Sequence, residues 1–277
     1  MSAKTIVITR PVGQARQLIE SLTKAFEQYG IAQCDLPEIV SLPLLTIVPK
    51  EDDHLADHIA SVLSDADLAI FVSPNAIESV MRLLGRSWQD FSKKVIPVGV
   101  MGGSSALALK NHGIGLEAHP TPVYMPPNPE HWDSEGLWQA LQKLQWDWST
   151  KKVVIFKGEG GREWLADAFK KAGATIHALS TYTRVPLDMD HRAWEAVRSI
   201  DLSQSLWLLT SSEAVRHLGQ VVQSQFPGGL QSLQRASAVC THHNIADAAE
   251  MIGFGEVFTT ESGDDALIKA TLAWLSL

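Results

Sequence analysis

Cysteine, positive charge and long apolar runs are all scarce in this chain. Its 277 residues include only two cysteines, Cys34 and Cys240. Two thiols so far apart make neither a disulfide framework nor a cysteine-rich zinc site. Lysine and arginine total 23 against 31 aspartates and glutamates, for a formal net charge of −8. An acidic chain is not built around nucleic acid or an anionic membrane surface, so any anionic ligand must be met by a local cluster of donors. No apolar run approaches the roughly 20 residues that a membrane helix needs. The opening MSAKTIVITR runs directly into a strand pattern, which argues against a secretory signal and makes the cytoplasm the expected location.

Familiar catalytic signatures are missing as well. In GEGGREWL (158–165) there is no GxxxxGK[ST], which excludes a nucleotide P-loop. Glu163 occupies the third glycine position of GxGxxG, and no acidic residue stands where a ribose partner belongs. HExxH and GxSxG are absent, and the adjacent His242 and His243 cannot both face one metal from a helix. The pairs Asp52–Asp53 and Asp264–Asp265 precede helical segments and read as caps and solvated charges. The nine tryptophans are scattered along expected helix faces, as packing residues.

What is present is alternation. Short runs rich in Val and Ile (TIVIT at Thr5, DLAIFVS at Asp67, KVIPVGV, VVIFKG, LWLLTS, SAVCT) are each followed by a segment of helical period. The first helix shows an apolar face of Leu18, Leu22 and Phe26 and ends at Gly30. This pattern predicts an α/β fold with parallel sheets flanked by helices. At 45% hydrophobic residues the chain can fill two cores.

The second half echoes the first. Arg10 falls opposite Lys157, Leu18 opposite Leu165, Ser73 opposite Ser211, Ser104 opposite Asn244, and Gly113 opposite Gly253. Three strand–turn–helix units recur in the same order, which predicts two similar domains with equivalent turns. Two proline-marked extended connectors, about 35–49 and 179–190, look like a two-stranded crossing between those domains. One domain is then discontinuous, 1–36 plus 184–277, with 38–182 as the other. A third segment, Thr121–Gly136, is proline-rich, closes with a helix start at Ser134, and is long enough to be a lid.

Ligands of parallel α/β sheets bind beyond the carboxyl ends of the strands, where helix N-termini expose free amides. RPVGQ, SPN, GGSS, GEGG, SSE and the stretch around Asn244 all fall at that edge. Glycines 158, 160 and 161 let the backbone approach an anion, backed by Lys157 or Arg162. Residue patterns alone therefore describe a two-domain anion binder. Arg10 reads equally as a turn residue, and Tyr182 as packing.

Taken in order, ITRP, FVSPNAI, GGSSALAL, FKGEGGRE, TYTRV and LLTSSEAV resemble the uroporphyrinogen-III synthase family over essentially the whole chain. That resemblance implies two α/β domains joined by a two-stranded β-ladder, with a cleft between them. It implies a cyclising hydro-lyase that converts hydroxymethylbilane into uroporphyrinogen III in tetrapyrrole and haem biosynthesis. No metal or organic cofactor is implied. The substrate is a linear tetrapyrrole polycarboxylate; the enzyme is a cytoplasmic monomer, in transient contact with the hydroxymethylbilane synthase that supplies it. Tyr182 matches the family's connector tyrosine, which assists departure of the hydroxyl. Ser73, Asn75, Thr210, Ser211 and Ser212 match the strand–turn motifs that face substrate. The family's GxxTA turn appears as Gly102–Ser105–Ala106 with Ser104 inside it, and the second such turn carries His243 and Asn244. Arg10 and Arg162 match its basic turn residues, beside Lys157, Gly158, Gly160 and Gly161. The competing readings are a non-enzymatic two-domain binder of a small anionic ligand and a glycosyltransferase of two Rossmann-like domains, for which the chain is short.

Overall fold

The computed structural model describes residues 4–91, 94–117, 120–161 and 163–276. The chain divides into two compact units, Met1–Thr46 with Val185–Leu277, and Ile47–Arg184. In chain order the first unit contributes β1 (Thr5–Ile8), α1 (Val12–Gln28) and β2 (Glu38–Ser41). Strand β3 (Leu45–Pro49) then runs across the division. The second unit follows with α2 (Asp53–Asp65), β4 (Leu68–Phe71), α3 (Pro74–Leu84), β5 (Val98–Val100), α4 (Gly103–Asn111) and β6 (Val123–Tyr124). It continues with α5 (Ser134–Gln142), β7 (Lys152–Gly158), α6 (Trp164–Lys171) and β8 (Thr175–Pro186), which crosses the division again. The first unit closes with α7 (Ala193–Arg198), β9 (Ser205–Leu209), α8 (Ser212–Gln225), β10 (Ser237–Cys240), α9 (His243–Met251), β11 (Glu256–Thr259) and α10 (Asp264–Leu275).

Each unit holds one sheet. The strand orders are β11-β10-β9-β1-β2 and β3-β8-β7-β4-β5-β6. Matching β1 with β7, β2 with β8, and β9, β10, β11 with β4, β5, β6 makes the five-strand orders identical, so the echo in the sequence is an echo in topology. Every pairing within those five-strand sets is parallel. Parallel sheets are covered on both faces, which is why their strands read as continuous apolar runs. In β9, Leu206 and Leu208 face one core layer with Ile6, Ile8, Leu18 and Leu22, while Trp207 and Leu209 face the other with Val7 and Leu218. In β4, Ala69 and Phe71 face one layer while Leu68 and Ile70 face its opposite. The two-residue period of a strand does the sorting.

The first unit extends to Thr46, beyond the break expected at 36–38. The reason is β2, which pairs with β1 from Thr5↔Glu38 to Ile8↔Ser41 and so belongs to the first sheet. Asp52 does cap α2, accepting from the amides of His54 and Leu55. The tryptophans are less scattered than expected: Trp138, Trp146 and Trp148 gather with Phe169, with ring centroids 4.8–5.6 Å apart along the chain of contacts. The proline-rich segment lies against its own unit, with Val123–Tyr124 paired to β5. No described helix is long and apolar enough to cross a membrane.

Candidate functional site

The order in which strands are added reverses between β1 and β9 in the first unit and between β7 and β4 in the second. Ligands of open parallel sheets bind at the carboxyl ends of the strands at such switch points. At the second unit's switch point stand Ser73, Gly158 and Tyr182. Ser73 is the N-cap of α3, its hydroxyl accepting from the Ala76 amide at 3.2 Å. The Tyr182 hydroxyl lies 3.0 Å from Ser73 Oγ and accepts from Arg184 Nη2 at 3.2 Å. The Arg184 guanidinium also sits 5.4 Å from the Tyr182 ring centroid.

A register shift places this tyrosine. Lys157 pairs with Ser180 but Gly158 pairs with Tyr182, so Thr181 is the extra residue of a bulge. The Glu159 amide then bonds the Tyr182 carbonyl at 2.8 Å. Any Cβ at Gly158 would come within 2.7 Å of the Tyr182 ring. Gly158 was expected to admit a ligand; the space it leaves is filled by Tyr182. The tyrosine itself has no exposed surface, so in this conformation it presents nothing to a ligand directly. Ser73 and Asn75 are only partly buried.

Gly160 and Gly161 adopt φ of +71° and +86°, a left-handed turn that favours glycine, and the space beside each is open. Helix α6 begins after them, at Trp164. Lys157 is nearly buried and bonded to Glu163, whose carboxyl this hydrogen bond and charge hold below the ordinary range. The lysine expected to meet an anion from solvent is thus already neutralised. Arg162 lies outside the described residues.

At the next turn Gly102 caps α4. Cβ atoms built on Gly102 and Gly103 would come within 2.9 and 2.8 Å of the Trp132 indole, so that ring lies over the turn. Its Nε1 donates to the Pro126 carbonyl at 3.3 Å. Ser104 is exposed, whereas Ser105 is buried and offers no surface.

The first unit builds its edge differently. Thr9 Oγ1 donates to the Leu208 carbonyl at 2.7 Å, tying β1 to β9. Arg10 pairs with Asp264 at 2.5 Å and is 13% exposed, so it fastens the β1 turn to α10 instead of standing free. Ser211 caps α8 through the Ala214 amide at 3.3 Å, as Ser73 caps α3. Ser212 donates to the Asn244 carbonyl at 3.0 Å. The Asn244 amide donates to Nδ1 of His242, the N-cap of α9. Asn244 is exposed and Thr210 partly buried.

Sequence reasoning passed over Arg184, Trp132, His242 and the partner of Arg10. Arg184 was within reach: it stands two residues beyond Tyr182 on one strand, and such residues share a face. Trp132 lies in the segment named for its prolines, and nothing local ties it to Gly102.

Two units of one strand order, each with hydroxyls, amides and cap residues at the carboxyl edge of its sheet, define a duplicated α/β protein. A family model described as "Uroporphyrinogen-III synthase HemD" matches residues 20–269. Uroporphyrinogen-III synthase of Escherichia coli (strain K12) is 25% identical over 272 residues, covering 96% of this chain and 99% of that protein. The Salmonella typhimurium enzyme of the same name is 27% identical, with 96% and 99% covered. In fold the chain is similar to a mutant uroporphyrinogen III synthase from the extreme thermophile Thermus thermophilus, with TM-score 0.57, 17% identity, and 99% and 100% of the two chains covered. It is likewise similar to the Helicobacter pylori synthetase, with TM-score 0.59, 13% identity and the same coverage. This chain belongs to the uroporphyrinogen-III synthase family.

Proposed function

We propose that the protein is a cyclising lyase that converts hydroxymethylbilane into uroporphyrinogen III and water, inverting ring D. The observation that carries this reading is the family match along 20–269, on a fold whose strand-end turns display amides and hydroxyls. The substrate carries eight carboxylates, and main-chain amides at helix starts bind carboxylate without dense positive charge. Gly160, Gly161, Ser104, Asn75, Thr210, Ser211, Ser212 and Asn244 are the contacts we assign to it, and Arg162, outside the described residues, is assigned with them on the family resemblance alone. Arg10, Lys157, Gly102, Gly158 and Ser105 shape these turns from within.

The chemistry needs little beyond geometry. Loss of the ring A hydroxyl as water gives an azafulvene; the substituted carbon of ring D attacks it; the spirocyclic pyrrolenine fragments and recloses with ring D inverted. Uncatalysed closure gives the unflipped isomer, so the protein's main work is to bring one ring D carbon, and not its neighbour, to the electrophile. A weak acid for the departing hydroxyl completes the set, and Tyr182 is the source of that proton. We further propose that β3 and β8 form the linking ladder, and that the enzyme works as a cytoplasmic monomer supplied by hydroxymethylbilane synthase.

The test is incubation with enzymatically made hydroxymethylbilane, oxidation, and separation of porphyrin isomers. Type III in excess over type I is the expected result. Type I alone removes the assignment and leaves a binder of small anions.

A further inference from the structure

Tyr182 has no exposed surface, yet a proton must reach a substrate outside the protein. Donor counting shows how. Arg184 can only donate, so the Tyr182 oxygen accepts from it. The phenol then has one proton to place. Ser73 Oγ, at 3.0 Å, is its hydroxyl's other described partner. If Ser73 donated to Tyr182 instead, the buried phenol proton would be left without an acceptor, which folded proteins avoid. Tyr182 therefore donates to Ser73. Ser73 Oγ also accepts from the Ala76 amide at 3.2 Å, which fills both of its lone pairs. Its own proton must point elsewhere. Ser73, at the β7–β4 switch point, is partly exposed, as is Arg184 on the other side of the phenol. Of the two only Ser73 can pass on the phenol's proton, because a guanidinium does not accept one.

Resting on the synthase reading above, we propose that Ser73 is the catalytic residue that touches the departing hydroxyl of the bilane, with Tyr182 and Arg184 as positioning residues behind it. As the ring A carbon–oxygen bond breaks, its electron pair stays on oxygen, which takes the Ser73 proton and leaves as water. Ser73 takes the Tyr182 proton in the same motion, and the phenolate rests against the Arg184 guanidinium. When ring D recloses, its unsubstituted α-carbon loses a proton, and that proton returns through Ser73 to Tyr182. The relay is then reset, and one water has been lost overall.

The test is steady-state kinetics with isomer analysis, after subtraction of the uncatalysed rate. Ser73→Ala is expected to lower kcat by about 100-fold, in the range of a lost general acid, with KM little changed. Tyr182→Phe is expected to lower kcat by about 10-fold or more. The double variant should be no slower than Ser73→Ala, because members of one relay act as a unit. Ser73→Thr should restore activity to within about threefold, since it keeps both the cap and the hydroxyl. Should Ser73→Ala fail to fold, Ser73→Asp retains a capping oxygen but has no proton to give at neutral pH; its kcat should fall likewise. All active variants should still make type III, because hydroxyl loss precedes the choice of ring D carbon; a rise in type I would mean a merely structural role and overturns the relay. A Tyr182→Phe loss of equal size in wild-type and Ser73→Ala backgrounds also overturns it. Type I alone from the wild-type protein sinks the synthase reading instead, so the two failures are distinct.

Discussion

The two units share a strand order and an ion pair at the matching turn, Arg10–Asp264 and Lys157–Glu163, yet they fill their switch points with different side chains. In the first, the turn after β1 is fastened by charge, with Arg10 meeting Asp264, and the link that follows β2 brings in apolar Leu42 and Leu44, both fully buried. In the second, the switch point holds a hydroxyl pair, Ser73 and Tyr182, over a glycine that leaves room for the ring. Duplicated topology thus preserved the scaffold while side chains diverged. Ser73 and Ser211 mark what stayed common, since each caps its helix with nearly the same geometry. Only Ser73 has a phenol behind it.

The largest break in this contrast should come from Gly158→Val. Overpacking against a fully buried tyrosine costs about 1–3 kcal/mol, and Tyr182 must leave its place. A lowered urea midpoint with a sharp loss of turnover is expected; a variant of wild-type stability and rate would mean the ring is not held there. Arg10→Ala follows. It leaves Asp264, 39% exposed, without its charged partner, a loss of about 1 kcal/mol, read as a lower denaturation midpoint. The matching Lys157→Ala should cost less than about 1 kcal/mol, because Glu163 is already 55% exposed to water. If the two were equal, the difference between the units would not lie in these ion pairs.

Removing the first unit's cap, Ser211→Ala, should cost about 1 kcal/mol and Ser211→Thr much less. Unlike Ser73→Ala, which lowers kcat, the Ser211→Ala variant loses a substrate contact and should act mainly by raising KM, and steady-state kinetics with thermal melting will show whether it does. The smallest effect is a pH term confined to the second unit. Burial works to raise the Asp67 carboxyl, but the Lys152 amide and Lys94 outweigh it, so the group sits below its ordinary value of 3.8. A carboxyl depressed on folding adds stability above its unfolded value, and that stability is lost as pH falls through the folded one. Asp67→Asn should therefore flatten the acid limb of the stability curve below about pH 4 and leave neutral pH nearly unaltered; an unchanged limb would exclude the interaction.

Much of the fold was legible because it rests on local pattern. Apolar runs alternating with helical periods gave the strands and helices, and a repeated order of turns gave two units. The strand-end turns were legible, and Ser73, Ser211, Gly160 and Gly161 lie in them. The roles of several members were not. Gly158 and Gly102 look alike in sequence to the open glycines, yet each has an aromatic ring in the space its side chain would take. Lys157 and Arg10 look like free cations, and both have found carboxylates. The first unit's reach to Thr46 was missed because the pairing of β2 with β1 joins residues separated by a whole helix.

Sequence by itself determined the periodicity, the duplicated order and the cap residues, since each depends on neighbours a few positions apart. Only the tertiary structure decided which hydroxyl faces outward. A shifted register at Gly158 turns Tyr182 inward, and contacts spanning more than a hundred residues direct its proton to Ser73. Side-chain type sets what a group can donate; long-range packing sets where the donation points.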